Sequence, residues 1–266
     1  MTRAPTVSAA AAAEDLDAYA VLAPPSSRVE RRGVALIDFG GPAPLHRIAT
    51  RVRLTGDVER EIEAVRAFFR ERGHPAFTWL LGPNAMPGDV EQRLRASGAR
   101  DDPVDPTLTA MVLDRPPPAV PAIDVRLVES LDDYLATADI IARALAGTFT
   151  DDELEAMRAQ QAERYAAYRA HGTTRRYLAL IDDTPVAYAA LVPTTVGAFG
   201  LLGGATVPEA RGRGAYRALV RARWDDAVRA GLPVLVTQAT DLSRPILERL
   251  GFRPVARVVV LLDATG

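Results

Sequence analysis

The sequence contains no cysteine and no lysine, and each absence excludes kinds of chemistry. Without cysteine there is no disulfide, no thiolate zinc site, no iron–sulfur cluster and no cysteine nucleophile. Without lysine all 32 basic residues are arginine, so neither a Schiff base nor a P-loop lysine is possible. The three histidines, His46, His74 and His171, lie far apart in the sequence, and we therefore expect no metal site.

Long apolar runs and an excess of charge are also lacking. No run approaches about 18 consecutive apolar residues, so no membrane span is expected. The net charge of −2 gives no electrostatic signature for nucleic acid or an anionic membrane. The apolar stretch Val7–Ala13 follows Arg3 as in a signal peptide, but acidic residues come directly after it, which favours a frayed tail or a short helix. We therefore expect a cytoplasmic protein.

The composition present, 48% apolar and 25% charged residues over a length of 266, is that of a globular protein with two modest domains. A tract with four prolines between Pro116 and Pro121 favours extended polyproline II backbone, which typically separates domains. The sequence therefore predicts an N-terminal tail at 1–27, a first domain at 28–115, a proline-rich linker at 116–122 and a second domain at 123–266.

The two domains share an order of predicted elements. In each, an amphipathic helix ended by glycine is followed by a strand, a short helix ended by glycine and a second strand. The glycines are Gly73 and Gly98 in the first domain and Gly231 and Gly251 in the second. A repeat distance of about 150 residues indicates a duplicated domain and not a solenoid. Chance alternation of helices and strands is the alternative interpretation.

One dense motif joins a predicted strand to a predicted helix over Gly203–Leu219, which reads GGATVPEARGRGAYRAL. Gly212 and Gly214 lack a Cβ, so the loop backbone can turn tightly and approach a ligand closely. The first N–H groups of the helix have no intrahelical partner and suit a phosphate or pyrophosphate, and Arg211, Arg213 and the arginines of the next helical turns add positive charge. The alternative is a surface loop with solvated arginines.

This motif resembles the loop of the GNAT superfamily of acyl-CoA N-acyltransferases, which reads Arg/Gln-x-x-Gly-x-Gly/Ala. Thr206-Val207-Pro208-Glu209 before it and Leu250-Gly251-Phe252 after it are also similar to that family, and the resemblance covers residues 123–263 in element order. It implies an α/β (α+β) fold with two GNAT-like domains, each a mixed, mostly antiparallel twisted sheet flanked by helices. Residues 28–115 would be a degenerate copy, because Leu54-Thr55-Gly56-Asp57 stands where a phosphate loop is expected.

The resemblance also implies acetyl-CoA as co-substrate and a set of cofactor-binding residues. The loop amides would hold the pyrophosphate, strand amides at Ala205 and Val207 would lie beside the acyl group, and Ser243 would reach the pantetheine arm. Tyr216 departs from the family pattern, and it would either narrow the pyrophosphate site or turn into the core. The implied cofactor-binding residues are Ala205, Thr206, Val207, Arg211, Gly212, Arg213, Gly214, Ala215, Tyr216 and Ser243.

Catalytic side chains are harder to assign. Leu247 stands where members of this family often carry a tyrosine that acts as the general acid, and no carboxylate occurs from Thr184 through Pro208. Tyr188 is the one candidate proton donor, with a place in the core as the alternative. We expect an N-acetyltransferase that acts on an amine of a small molecule or peptide, with no nucleic-acid or membrane partner. A CoA-binding regulatory protein without catalysis and a nucleotide-binding protein are the alternatives.

Overall fold

A computed structural model of the chain describes residues 9–14, 28–31, 33–39, 46–119, 122–144, 150, 155, 159, 161–194 and 197–266. Within these ranges the polypeptide forms two compact units. The central unit contains the described residues of Leu113–Val236. The split unit contains the described residues up to Val112 and, again, Thr237–Gly266. None of the helices in the described ranges is both long enough and apolar enough to cross a bilayer.

The split unit contains eleven elements among the described residues. They are α1 Ala9–Glu14, β1 Arg28–Arg31, β2 Val34–Asp38, β3 Arg47–Thr50, α2 Val58–Arg70, β4 Ala76–Leu81, α3 Val90–Ala96, β5 Arg100–Asp101, β6 Thr107–Leu113, α7 Arg244–Arg249 and β12 Arg253–Ala264. The strands form a sheet of order β1-β2-β3-β4-β12-β6, with the short β5 paired to β12. β3 and β4 run parallel, and the other neighbours are antiparallel.

The core of the split unit lies on both faces of this sheet. The helix α2 begins at Asp57, whose side chain accepts a hydrogen bond from the Arg60 N–H at 3.2 Å, and it turns an apolar face to the strands. β12 lies between β4 and β6, so its alternate residues enter the core on opposite faces. Val259 and Leu261 pack with Phe77 and Trp79 on one face, while Val258 and Val260 pack with Ile37, Ile48 and Leu80 on the other.

The central unit is built on a sheet of strand order β11-β10-β9-β8-β7, in which only β10 and β11 are parallel. The unit boundary falls inside β11. Its elements are β7 Asp124–Leu127, α4 Leu131–Ala144, α5 Gln161–His171, β8 Arg175–Ile181, β9 Thr184–Pro193, β10 Phe199–Thr206, a 3₁₀ turn at Pro208–Ala210, α6 Ala215–Arg229 and β11 Leu235–Ala239.

Local sequence signals explain the ends of these elements. The sequence Ser130-Leu131-Asp132-Asp133 predicts a helix start, and at the start of α4 the Ser130 hydroxyl accepts the Asp133 N–H at 3.0 Å. Asp182-Asp183 between two apolar runs predicts a hairpin turn, and both residues have positive φ, 51° and 58°, in the turn between β8 and β9. A second capping pattern at 150–153 falls largely outside the described residues.

The predicted fold class is confirmed: the chain is a mixed α/β protein whose largely antiparallel sheet strands are flanked by helices. Both series of helix, strand, helix and strand occur in the predicted order. The division by packing, however, differs from the predicted division at 116–122, because Thr237–Gly266 belongs to the same compact unit as the N-terminal residues. The sequence could not reveal this, since the apolar strand β12 would fit a sheet in either domain.

Candidate active site

Strand β10 lies between two strands of the central unit. Within that unit its parallel ladder with β11 contains Phe199 opposite Leu235 and Gly200 opposite Val236. On its other side β10 is paired with β9 as far as Thr206. The separation of β10 from β11 that the sequence resemblance implies for the pantetheine arm stays a prediction.

A bulge interrupts β10 at its double glycine. The register with β9 shifts between Leu202 and Gly204, and Gly203 has φ 52°, a left-handed conformation that favours glycine. A Cβ on Gly203 would lie 2.2 Å from the hydroxyl oxygen of Tyr188, and one on Gly204 would lie 3.1 Å from the ring of Tyr216. Both glycines are exposed, so the bulge presents backbone to solvent between two tyrosines.

The glycine–arginine loop follows β10 and opens α6. Gly212 and Gly214 have φ of 77° and 94°, and Gly214 is the N-cap residue of the helix. A Cβ on Gly212 would meet no atom within 4 Å, so that side of the loop is open. The helix begins with Ala218 N–H donating to Gly214 at 3.0 Å, which leaves the amides of the first turn without intrahelical acceptors.

The arginines near this loop have different roles. Arg211 donates to the carbonyl oxygens of Ala144 at 3.1 Å and Thr206 at 3.4 Å, so it ties the loop to α4 and to the end of β10. Arg213 is exposed and lies 3.8 Å from the carboxylate of Asp182. A contact this long at a solvated position is weak, so the Arg213 guanidinium is available to an anionic ligand.

Two more arginines lie further along α6. Arg217 donates to the carbonyl of Ala119 at 2.9 Å, and Arg221 pairs with Asp225 at 3.0 Å. Both side chains are therefore held by groups of the protein itself. Of the charged side chains that the sequence places around the loop, Arg213 is the best suited to a phosphate.

The structure corrects one expectation for the strand amides. The Val207 N–H donates to the carbonyl of Val186 at 2.9 Å, so it belongs to the pairing with β9. Amides two residues apart on a strand point to the same side, so Ala205 also faces β9. Thr206, between them, directs its N–H to the side away from β9. Sequence reasoning missed this because the alternation depends on the bulge at Gly203.

Tyr216 packs against the bulge of β10. Its ring lies over the backbone of Gly204 and is half-buried. The guanidinium carbon of Arg223 lies 5.7 Å from its centroid. Ala215, the residue before it, is fully buried, so its contribution to a ligand site is limited to backbone groups. Tyr216 therefore lies against the bulge on the face of the sheet that carries α6, and its effect on a bound pyrophosphate stays a prediction.

Arg223 is a residue of this region that sequence reasoning did not identify. It is completely buried, and it donates to the carbonyls of Leu219 at 3.0 Å and Ala190 at 3.3 Å. One guanidinium nitrogen has no hydrogen-bond partner within the described part of the chain. Burial lowers the pKa of Arg223, and its tyrosine neighbours Tyr216 and Tyr177 partly oppose that shift.

The helices α4 and α6 cover opposite faces of the central sheet. On β8 the guanidinium of Arg176 stacks over the ring of Tyr134 of α4 at 4.7 Å, while Tyr177, the next residue, bonds to Asp226 of α6. Consecutive strand residues point to opposite faces. Tyr188 on β9 lies opposite Leu178 on β8, so it shares the face of Arg176 and α4.

Tyr188 is half-buried and not part of the deep core. Its hydroxyl reaches the bulge of β10 and forms no hydrogen bond with any residue that the structure describes. Burial raises the pKa of Tyr188, and the positive charges of Arg176 and Arg223 act in the opposite direction. The group is therefore a neutral O–H donor at physiological pH.

Two sequence-predicted positions belong to the split unit. Ser243 precedes α7, and its hydroxyl donates to the Thr240 carbonyl at 3.3 Å. Its predicted contact with pantetheine stays a prediction. Leu247 is buried in the core, so this position holds no proton donor. Among the residues described, no group of three or more histidine, aspartate or glutamate side chains is placed to hold a metal ion.

Comparisons with known proteins identify the fold. No protein-family model matches the sequence, and no curated protein does. Among solved structures, a GCN5-related N-acetyltransferase from Kribbella flavida is 17% identical, with a TM-score of 0.64, over 94% of this chain and 96% of that one. A tandem GNAT protein from the clavulanic acid biosynthesis pathway is 20% identical, with a TM-score of 0.61, over 88% of this chain and 78% of that one.

A third match, a GCN5-related N-acetyltransferase from Sphaerobacter thermophilus, is 18% identical with a TM-score of 0.57, over 88% of this chain and 77% of that one. At these identities the likeness establishes the fold alone. The chain has the GNAT fold, as its glycine–arginine motif predicts.

Proposed function

We propose that this protein is an N-acetyltransferase that transfers the acetyl group of acetyl-CoA to an amine. The observation that carries the proposal is the exposed bulge at Gly203 in β10, followed by the loop at Gly212–Gly214 that opens α6. Strand backbone can pair with the amide groups of a pantetheine arm, and a helix N-terminus can bind its pyrophosphate.

In this arrangement the loop amides and Arg213 would hold the pyrophosphate. Thr206 would offer its N–H to the arm or to the acyl oxygen, because that amide faces away from β9. A backbone donor beside the thioester oxygen would stabilise the oxyanion that forms when an amine attacks. The acceptor would approach as a free amine.

A CoA-binding protein without catalysis is the second candidate. The observation in its favour is the leucine at position 247, which is buried where related enzymes carry a proton donor. Release of free thiol from acetyl-CoA in the presence of a panel of amines distinguishes the two functions. An enzyme releases thiol with at least one amine, whereas a binding protein releases none although CoA stabilises it.

Thermal stabilisation by CoA tests the binding site itself. At 100 times its dissociation constant, a ligand adds about 2.7 kcal/mol to the free energy of unfolding. Gly214→Val and Arg213→Glu should each abolish this stabilisation. Gly231→Val is the matched control, since Gly231 also has positive φ, at 75°, beyond the other end of α6. If both loop variants keep the wild-type stabilisation, the loop is not the cofactor site.

A further inference from the structure

We propose that Tyr188 donates the proton that the CoA sulfur needs when the thioester breaks, and that Arg176 positions Tyr188 for this role. The inference rests on the proposed acetyl transfer. Leu247 has no proton to donate to the sulfur, so the inference assigns this proton transfer to a side chain of β9. That side chain lies on the face of the sheet that carries α4.

The position of the hydroxyl is the first argument. Tyr188 lies in β9, yet its oxygen reaches the bulge of β10, where a single methyl group on Gly203 would collide with it at 2.2 Å. Only glycine at position 203 therefore leaves room for this hydroxyl to lie against the strand. Thr206, whose N–H faces away from β9, follows in the same strand, so a thioester bound along β10 would pass beside the hydroxyl.

The partners of Tyr188 are the second argument. Its hydroxyl has no acceptor among the described residues, although most buried tyrosine hydroxyls have one. A donor without an acceptor inside the protein is available to a bound molecule. Tyr177, on the opposite face, differs in this respect, because its hydroxyl donates to the buried carboxylate of Asp226.

The placement of Arg176 is the third argument. Arg176 lies opposite Ala190, two residues along β9 from Tyr188 on the same face, so the two side chains are diagonal neighbours. Its guanidinium stacks on the rings of Tyr134 and Tyr168, at 4.7 and 5.5 Å from their centroids. Its Nε is buried and has no hydrogen-bond partner in the described ranges. The stack fixes a positive charge beside Tyr188, where it would stabilise a transient tyrosinate.

The reaction balances without a further reagent. The amine nitrogen forms a bond to the thioester carbonyl carbon, and the C–S bond then breaks with its electron pair on sulfur. Tyr188 gives its proton to that sulfur, which leaves as the free thiol of CoA. The nitrogen of the new amide carries one proton too many, and it returns that proton to the tyrosinate through water, which restores Tyr188.

Steady-state kinetics with acetyl-CoA and an accepted amine tests the proton donor. Tyr188→Phe should lower kcat about 100-fold or more, since general acids contribute about 10²–10⁴-fold, while the dissociation constant of acetyl-CoA stays unchanged. Tyr177→Phe removes a hydroxyl on the opposite face and should retain kcat. If folded Tyr188→Phe stays within tenfold of wild type, Tyr188 is not the donor.

Arg176→Gln tests the positioning residue, with Arg175→Gln as its matched control on the other face. Arg176→Gln should lower kcat about tenfold, a smaller loss than that for the proton donor itself. Arg176→Gln should also raise the pKa of Tyr188, measured by tyrosinate absorbance, because a cation near the hydroxyl is lost. Arg223 and Tyr134 are the other ionisable groups around the Tyr188 hydroxyl. In a Tyr188→Phe background Arg176→Gln should lower kcat no further.

The outcomes separate the two levels of the proposal. Additive losses from the two substitutions would overturn the role of Arg176, and Arg176→Lys should restore part of kcat if the charge matters. Wild-type protein that binds acetyl-CoA but releases thiol with no amine would overturn both the transfer and the proton donor. Thiol release that survives in Tyr188→Phe would overturn the proton donor alone.

Discussion

Deleting the C-terminal strand should unfold the split unit, although most of that unit lies at the other end of the chain. Val258, Val259, Val260 and Leu261 are all buried in β12, between β4 and β6. Burial of each such side chain contributes about 1.5–3 kcal/mol, or roughly 6–12 kcal/mol together. Whole domains have a free energy of unfolding of about 5–15 kcal/mol. Removal of 253–266 therefore removes most or all of the stability of the unit.

Tryptophan fluorescence can follow this unit by itself. The chain has two tryptophans, Trp79 in the split unit and Trp224 in the central unit, so a Trp224→Phe background leaves one reporter. Urea unfolding should show Trp79 exposed at zero denaturant after the deletion. In the full chain Leu261→Ala should cost about 2–5 kcal/mol, whereas exposed Arg257→Ala should change stability by under about 0.5 kcal/mol. A buried Trp79 in the truncated protein would refute the reasoning.

Two further predictions concern single residues. Asp263 is buried, and it accepts two hydrogen bonds from Arg66 at 3.0 and 3.1 Å and one from the Trp79 indole at 2.9 Å. Asp263→Ala should therefore lower the free energy of unfolding, measured by urea titration, by about 3–5 kcal/mol. A loss under about 1 kcal/mol would contradict this prediction. Gly203→Ala should destabilise the central unit, and Tyr188→Phe should relieve part of that loss because it removes the colliding oxygen. Equal losses with and without the tyrosine hydroxyl, measured by thermal unfolding, would show that the two residues do not interact.

The sequence was informative where a local pattern determines local structure. The hairpin at Asp182-Asp183 and the cap at Ser130 depend on residues within a few positions of each other, and both form as predicted. The glycine–arginine motif likewise has its predicted context between a strand and a helix. Each of these signals is complete within one short segment.

Features that depend on distant segments were harder to predict. Which sheet accepts β12 depends on strands more than 140 residues earlier, and the apolar pattern of β12 fits either domain. The direction of the Val207 amide depends on the bulge at Gly203, and the burial of Arg223 depends on the sheet beneath α6. Neither the direction of that amide nor the burial of Arg223 can be inferred from composition or residue spacing.

The position of β12 also has a consequence for synthesis on the ribosome. Strands β4 and β6 are complete by residue 113, but the strand that lies between them ends at Ala264. At about 5–20 residues per second, roughly 150 further residues take about 8–30 s to make. Throughout that interval the facing edges of β4 and β6 lack their partner. A nascent chain of this protein therefore completes the sheet of the split unit only after β12 has been made, although most strands of that sheet are made much earlier.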